Sequence, residues 1–250
     1  MAHLMIVSPA KKMNVVEGPP YVTALPCFLG RTERLMRAVQ ELSYSQAKEL
    51  WRCSDKLATL NYERFQEMDL TRGTTAAALA YEGIQYQHLA PQVMTTSELA
   101  FLDTRLRILS GFYGVLHPSD GVVPYRLEMQ AKLAVDGAHD LYEFWGTSLA
   151  DALAQETDTI VNLASVEYAK AVVPHARARG MRVVTCLFGQ LVGGRFRQRA
   201  TEAKAARGSF VRWCAEGNIE ATDDFPRFAE RGYQLDEARS SADELIFVRS

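Results

Sequence analysis

The sequence predicts a single compact α/β domain, residues 1–250, with a central mixed sheet surrounded by helices. Of the 250 residues, 48% are hydrophobic and 23% are charged, which is typical of a globular chain. A chain of this length buries roughly three quarters of its unfolded surface, so it can form a full core. Short apolar segments alternate with helical patterns, and no linker rich in Pro, Gly or Ser divides the chain, so one domain is predicted.

The first predicted element is a strand formed by the short apolar run His3–Val7. The run ends at Ser8 and Pro9, which predicts a buried strand followed by a loop. That loop carries Ser8, Lys11 and Lys12. Because α/β sheets commonly place functional loops at the C-terminal ends of their strands, this loop is a candidate location for a site.

Helical patterns follow between residues 31 and 65. Apolar residues recur at helical spacing in three stretches: Leu35, Met36, Val39 and Leu42; Ala47, Leu50 and Trp51; and Leu57, Leu60 and Phe65. Ser43 and Gln46 have the spacing of a capping box, so a helix is expected to begin after Ser43. The pattern predicts a helix, a tight turn at 42–45 and a second helix.

Strands and helices are predicted to alternate through the rest of the chain. The segments that predict strands are Ala76–Tyr81, Leu106–Leu109, Thr159–Leu163, Met181–Phe188 and Glu244–Val248. The segments that predict helices are Thr96–Leu102, Leu141–Leu153, Glu167–Val172 and Thr201–Cys214. This alternation predicts helices packed against a sheet that is mixed rather than purely parallel.

Charge is distributed unevenly along the chain. The 28 basic and 30 acidic residues give a net charge of −2. Between Arg177 and Arg212, nine basic residues accompany one acid, Glu202, so this segment carries +8 and the rest of the chain −10. Such clustering creates a positive field that attracts polyanions, although a solvated helical face is the ordinary alternative.

Two polar stretches lie within apolar sequence. Pro124–Met129 alternates apolar residues with Arg126 and Glu128, so these two side chains are predicted to project from the same face of a strand. They form either a structural salt bridge or part of a site. Asn162–Ser165 predicts a strand that runs into a helix capped by Ser165. The free N–H groups there can bind a phosphate or carboxylate, although most helix starts bind only water or their own cap.

A third polar stretch, Gly193–Arg199, alternates basic residues with other types. As a strand it places its arginines on one face and directs Phe196 toward the core. Arginine forks match phosphate oxygens, so this face is a candidate anion-binding surface. The basic residues of this strand and of the helix that follows are Arg195, Arg197, Arg199, Lys204 and Arg207.

Signals for metals, cofactors and membranes are weak. The four cysteines form no Cys-x-x-Cys pair and the five histidines no His-x-x-x-His pair, which argues against disulfides and zinc. No Walker loop, nucleophile elbow or dinucleotide-binding motif occurs. The start of the chain lacks a secretory signal, and no apolar run reaches the roughly 20 residues that cross a bilayer. We expect a soluble, cytoplasmic protein with neither a metal site nor a cofactor.

Six motifs resemble those of the bacterial YaaA family of peroxide stress proteins. They are Ser8-Pro9-Ala10-Lys11, Leu109-Ser110-Gly111-Phe112-Tyr113-Gly114-Val115-Leu116, Pro124-Tyr125-Arg126-Leu127-Glu128-Met129, Phe144-Trp145-Gly146, Asn162-Leu163-Ala164-Ser165 and Glu244-Leu245-Ile246-Phe247-Val248-Arg249. The resemblance implies an α/β domain with a positively charged cleft and a helix-hairpin-helix element. It also implies a cytosolic protein that binds DNA, lowers free iron and limits peroxide damage to DNA.

The resemblance further implies where the functional residues lie. The helix-hairpin-helix element falls on Leu35–Leu60 and includes Leu42, Ser43, Gln46 and Ala47. The cleft falls on Ser8, Lys11, Arg126, Glu128, Asn162, Ser165, Glu167, Lys204 and Arg207. Arg195, Arg197 and Arg199 are expected to add phosphate contacts beside it.

Two functions follow as rival hypotheses. The first is a cofactor-free protein that binds DNA through phosphates, with weak sequence preference. The second is an enzyme acting on a nucleotide or nucleobase in the same cleft, with Glu128 or Glu167 as general acid or base and Lys11 as nucleophile. A deep pocket favours catalysis and a long open groove favours binding. A small anionic ligand is a further expected partner, and the oligomeric state stays open.

Overall fold

Helices and strands alternate along the chain, which the computed structural model describes for residues 3–16, 22–73 and 75–249. The strands are β1 (His3–Val7), β2 (Lys12–Met13), β3 (Thr75–Ala76), β4 (Tyr81–Glu82), β5 (Leu106–Ser110), β6 (Gly114–Leu116), β7 (Gly121–Val122), β8 (Thr159–Asn162), β9 (Arg182–Val192), β10 (Arg195–Arg197), β11 (Tyr233–Leu235) and β12 (Glu244–Arg249). The helices are α1 (Leu29–Gln40), α2 (Tyr44–Trp51), α3 (Asp55–Gln66), α4 (Ala77–Ala80), α5 (Ile84–Leu89), α6 (Thr96–Arg105), α7 (Leu141–Trp145), α8 (Ser148–Ala154), α9 (Val166–Ala169), α10 (Val173–Ala178) and α11 (Ala200–Glu216).

A mixed sheet of eight strands forms the centre of the domain. Its order is β11-β12-β9-β8-β1-β5-β6, and β10 pairs with β9. Strands β5, β1, β8, β9 and β12 run parallel, whereas β6, β10 and β11 are antiparallel to their neighbours. Every residue of β1, β5 and β8 is buried, as expected for central strands covered on both faces. The predicted single compact α/β domain is confirmed.

The order of the strands places β1 at a reversal in the path of the chain. From β1 the chain crosses to β5 on one side, and it later returns to β8 on the other side of β1. In open α/β sheets, the loops that leave such a reversal separate and create a crevice at the C-terminal ends of the strands. Ser8 follows β1 and Ser165 lies just after β8, so both belong to this crevice.

The capping box predicted from Ser43 and Gln46 begins α2. The Ser43 hydroxyl accepts the backbone N–H of Gln46, and the Gln46 side-chain oxygen accepts the N–H of Ser43 at 2.9 Å. Two orphan donors at the helix start are thereby satisfied. The helix ends at Trp51, and the next residue, Arg52, takes a left-handed conformation with φ 44°.

Three helices occupy the region where the resemblance implies a helix-hairpin-helix element. Residues 35–60 span the end of α1, all of α2 and the start of α3, joined by two connections. The first two predicted apolar stripes are confirmed by burial of Val39, Ala47 and Trp51, which attach the helices to the core. The third is wrong at Leu57 and Leu60, which are exposed, because α3 turns Ala58, Asn61 and Phe65 toward the core instead. The helix-hairpin-helix assignment itself is not confirmed.

Three predicted elements differ in the structure. Within residues 76–81, which the sequence predicts as one strand, residues 77–80 form the helical turn α4 between β3 and β4, where the N–H groups of Ala77 and Ala78 bind the carbonyl oxygens of Asp120 and Pro118. The helix predicted over 141–153 is interrupted at Gly146, where φ is 49°. The helix predicted over 167–172 ends at Ala169 as α9, and a separate helix, α10, begins at Val173 with Pro174 in its first turn, where proline is favoured.

Candidate anion-binding pocket

A cavity of about 490 Å³ opens at the C-terminal ends of β1 and β8. Its walls come from the loop after β1, the start of α5, the segment 125–128, the start of α9 and the first half of α11. The sequence-predicted residues that line it are Ser8, Lys11, Arg126, Glu128, Ser165, Glu167, Lys204 and Arg207. The fold therefore gathers cationic and acidic side chains from separate parts of the chain around one concave space.

Ser8 and Ser165 join the two strand ends beneath the cavity. The Ser8 hydroxyl oxygen accepts the backbone N–H of Ser165 at 2.8 Å, and the two hydroxyls lie 3.1 Å apart. The cap predicted for Ser165 is not formed, because its hydroxyl faces Ser8 instead of the N–H groups of α9. The Tyr86 hydroxyl of α5 donates a hydrogen bond to the Ser8 carbonyl oxygen at 3.0 Å, which connects α5 to the two strand ends.

The segment 124–129 directs Arg126 and Glu128 into the cavity. Tyr125, Leu127 and Met129 are buried, so the predicted alternation holds. The segment is not the predicted strand, since it forms no ladder with a neighbour in the described chain. The close approach of Gly111 fixes its position: a Cβ there would lie 2.6 Å from the Leu127 carbonyl oxygen, so only glycine fits.

Glu128 is held between two cations. Its Oε1 lies 3.0 Å from Lys11 Nζ and 3.2 Å from Arg126 Nη2. The predicted pairing of Arg126 with Glu128 is therefore present, and it lies inside the cavity rather than on the outer surface. The Arg126 side chain is only 10% exposed, and its Nε has no hydrogen-bond partner among the described residues.

Arg207 presents a second guanidinium to the cavity. Its Nε is buried without a hydrogen-bond partner, and the side chain makes no ion pair with any described residue. Burial lowers the pKa of Arg207, an effect that the nearby Cys186 thiol partly offsets. Burying a charge without a partner is energetically costly. An anion bound in the cavity would pair with Arg207 and lower that cost.

Glu167 supplies a second carboxylate in different surroundings. Its Oε1 accepts the backbone N–H of Gln130 at 3.2 Å. Burial raises the pKa of Glu167, and the negative charge of Glu128 acts in the same direction, while the Gln130 N–H opposes both. One cavity thus holds a carboxylate paired with two cations and another whose ionised form is disfavoured by burial.

The other predicted site residues lie outside the cavity. Asn162 is buried at the end of β8, where its side-chain oxygen accepts the Ala164 N–H at 3.1 Å and shapes the turn. Leu42 and Ser43 of the α1–α2 connection and Gln46 and Ala47 of α2 also do not line it. Arg195, Arg197 and Arg199 are exposed on β10 and just before α11.

The basic segment divides into paired and unpaired cations. Arg179, Arg182 and Arg212 are each bound to an acid. Its one acid, Glu202, is bound to Arg231 at 3.6 Å and Arg249 at 2.9 Å, so it does not neutralise its basic neighbours in sequence. Five successive basic side chains make no ion pair within the described chain: Arg195, Arg197, Arg199, Lys204 and Arg207.

Comparison with known families identifies the chain. The family model described as peroxide stress protein YaaA matches residues 3–239. The chain belongs to the YaaA family. The curated relatives of this YaaA-family chain carry the name UPF0246 protein. They include proteins from Pediococcus pentosaceus (46% identical), Lactiplantibacillus plantarum (45%) and Lachnoclostridium phytofermentans (44%), in alignments that cover 98% of this chain and 98%, 98% and 96% of the relative.

Several cavity residues of this YaaA-family chain escaped sequence reasoning. Gln85 and Tyr86 line the cavity from α5, and Tyr168 lines it from α9. The signal that could have located α5 is Gly208, a glycine inside α11: a Cβ there would lie 2.1 Å from the Gln85 carbonyl oxygen. An isolated glycine within a helical pattern often marks such a close approach.

Clusters of metal-ligating side chains and membrane-spanning helices are absent from residues 3–16, 22–73 and 75–249 of the YaaA-family chain. No group of three or more His, Cys, Asp or Glu side chains in these ranges could hold a metal ion. In the same ranges, no helix combines the length and apolar character needed to span a bilayer.

Proposed function

We propose that this chain is a DNA-binding protein of the peroxide stress response and that it holds DNA phosphates along the basic run from Arg195 to Arg207. The observation that carries the proposal is the lack of ion pairs for five successive basic side chains in the described chain. The first three are exposed on β10 and just after it, in the hairpin that β9 and β10 form (the β10 hairpin). The last two line the cavity. Basic side chains that form no ion pair within the protein are available to bind phosphate.

Phosphate binding by this run predicts a specific energetic signature. Each phosphate neutralised by an arginine or lysine releases condensed counterions, so the logarithm of the affinity falls with the logarithm of salt concentration by about 0.9 per contact. Phosphates carry no base identity, so sequence preference is expected to be weak. Within the stress response, the bound protein is proposed to limit free iron and the DNA damage that peroxide causes.

A salt titration with matched variants tests DNA binding. The triple variant R195A/R197A/R199A is compared with R179A/R182A/R212A, which removes the same charge from arginines already bound to acids. The first variant is expected to lower the salt slope on duplex DNA by up to about 2.7, whereas the control retains the slope of the unmodified protein. Affinity that does not change with salt, or equal losses in both variants, would contradict the proposal.

A second candidate function is an enzyme that acts on a nucleotide or nucleobase. It is favoured by Glu128 and Glu167, two carboxylates with different surroundings in one cavity, since such pairs often divide into base and acid. Incubation with a panel of nucleotides, followed by chromatography of the products, tests this function. Turnover that disappears in both E128Q and E167Q would support it, and unchanged substrate with the native protein would count against it.

A further inference from the structure

We propose that the cavity receives a single unpaired nucleotide from the bound DNA strand, with a phosphate at Arg207 and an amino-bearing base at the Glu128 carboxylate. This inference rests on the proposed DNA-binding function. It goes beyond that function because it assigns an occupant to the cavity and a preference among DNA structures.

The size of the cavity excludes duplex DNA from its interior. A volume of 490 Å³ corresponds to a cube with an edge of about 8 Å, whereas the major groove of B-DNA alone is about 12 Å wide. A nucleotide is instead within the range of ligands that pockets of a few hundred cubic ångströms accommodate. DNA bound at the β10 hairpin can therefore fill the cavity only by placing an unpaired nucleotide in it.

The unpaired cations lead from the hairpin to the cavity. Arg195 and Arg197 project from β10, Arg199 precedes α11, and Lys204 and Arg207 lie on the side of α11 that lines the cavity. A strand whose phosphates follow this path reaches Arg207 at its inner end. The buried Arg207 Nε and Arg126 Nε have no hydrogen-bond partners in the described chain, which is the situation that a bound polar ligand would resolve.

The acidic side of the cavity suits a base rather than a phosphate. Both cations that contact Glu128 approach Oε1, which is buried and has no hydrogen-bond partner among the described residues. A carboxylate oxygen repels phosphate but accepts hydrogen bonds from the amino group of a base, as glutamate does with cytosine. Tyr86, Tyr125 and Tyr168 add aromatic surface to the walls. Guanine, cytosine and adenine carry amino groups, whereas thymine does not, so thymine is expected to bind least well.

Extrusion has an energetic consequence that can be measured. Removing a paired base from the stack costs a few kcal/mol, and the cost is least for a base that is already unpaired. Since about 1.4 kcal/mol corresponds to tenfold in affinity, a duplex with one unpaired cytosine is expected to bind at least about tenfold more tightly than the fully paired duplex. A duplex with one unpaired thymine is expected to gain less.

The experiment measures dissociation constants for three duplexes: fully paired, with one unpaired cytosine and with one unpaired thymine. Arg207→Met is expected to reduce the preference for unpaired over paired DNA, while Glu128→Gln is expected to reduce the preference for cytosine over thymine. Arg207→Lys, which retains the charge, is expected to keep part of the preference. Circular dichroism confirms that each variant is folded. The matched control, R179A/R182A/R212A, is expected to keep both preferences.

A fluorescent base gives a second readout. With 2-aminopurine as the unpaired base, saturating native protein is expected to change the fluorescence, and Arg207→Met is expected to suppress that change. Equal affinity for all three duplexes and no fluorescence change would overturn the inference while leaving DNA binding intact. Failure to bind any duplex would overturn the proposed function and this inference together.

Discussion

Ser8 and Ser165 are joined at the C-terminal ends of two adjacent parallel strands by a hydrogen bond from the Ser165 backbone N–H to the Ser8 hydroxyl oxygen, 2.8 Å long. Their hydroxyls are also 3.1 Å apart. The Ser8 side chain therefore accepts a backbone hydrogen bond from the loop after β8, whereas the Ser165 side chain contacts only the Ser8 hydroxyl. This asymmetry predicts different effects for two chemically identical substitutions.

Ser8→Ala is expected to destabilise the protein more than Ser165→Ala. The first substitution leaves the half-buried Ser165 N–H without its acceptor, which costs roughly 1–2 kcal/mol. The second removes the contact between hydroxyls but keeps the bond from the backbone N–H. Urea unfolding of both variants measures the difference in the free energy of unfolding. Equal effects would show that the hydrogen bond from the Ser165 N–H does not stabilise the C-terminal ends of these strands.

Gly208→Ala is expected to separate α11 from α5. The added Cβ would lie 2.1 Å from the Gln85 backbone carbonyl oxygen, so one helix must move. Overpacking of this kind typically costs about 1–3 kcal/mol. Gly30 in α1 provides the control, because a Cβ there meets nothing within 4 Å. Gly30→Ala is expected to be neutral or to stabilise by up to about 1 kcal/mol. Urea unfolding compares the two, and similar stability of both variants would contradict the predicted clash.

Stability is expected to fall below neutral pH because of His3. Its ring is fully buried, its Nδ1–H donates to the Glu220 carbonyl oxygen at 3.1 Å, and Phe225 packs against it edge to face. Burial, and then the charge of Arg105, lowers the pKa of His3 from 6.5 to about 4. The unfolded chain therefore binds a proton more readily than the folded protein between these two values, and stability decreases as pH falls through this window.

The His3 contribution between pH 7 and pH 5 is about 2 kcal/mol when these two pKa values are used. Urea unfolding at the two pH values measures it, and His3→Gln, which cannot titrate in this range, is the comparison. The variant is expected to lose less stability than the native protein on acidification, whatever its stability at pH 7. Parallel losses in both proteins would assign the acid sensitivity to other groups.

Local patterns in the sequence were sufficient wherever the structure depends on neighbours in the chain. The apolar run of β1, the capping box of Ser43 and Gln46, and the alternation around Arg126 all appear as predicted. Each depends on a spacing of two or three residues, which backbone geometry converts directly into a cap or an exposed face. The same patterns directed Arg126 and Glu128 to a common side, and the fold places that side in the cavity.

Features that depend on packing between distant segments could not be predicted in this way. The α5 wall is set by contact with Gly208 on α11, which no local period encodes. The helical turn at Ala77–Ala80 forms where the N–H groups of Ala77 and Ala78 meet the carbonyl oxygens of Asp120 and Pro118. An apolar segment this short has no distinguishing period, so tertiary hydrogen bonds decide its conformation.

Glu167→Gln is expected to stabilise the protein near neutral pH. Burial, opposed by the Gln130 N–H and reinforced by the charge of Glu128, raises the pKa of Glu167 above its ordinary value. A carboxyl group with a raised pKa in the folded state favours folding when it is protonated, and that contribution is lost as pH rises through the folded pKa. Glutamine resembles the protonated acid and keeps an oxygen for the Gln130 N–H, so the variant avoids this loss.

The pH dependence of the comparison separates this charge effect from a simple packing effect. The stability advantage of Glu167→Gln is expected to be present at pH 7 and to disappear as pH falls below the ordinary pKa of glutamate, where the native side chain is also protonated. Glu143→Gln is a useful control, because Glu143 accepts the His139 N–H at 2.7 Å but lies on the exposed surface. A stability advantage of Glu167→Gln that is equal at pH 7 and at the low pH would contradict the raised pKa. Glutamate and glutamine differ in charge only where the glutamate is ionised, so a charge effect must change with pH.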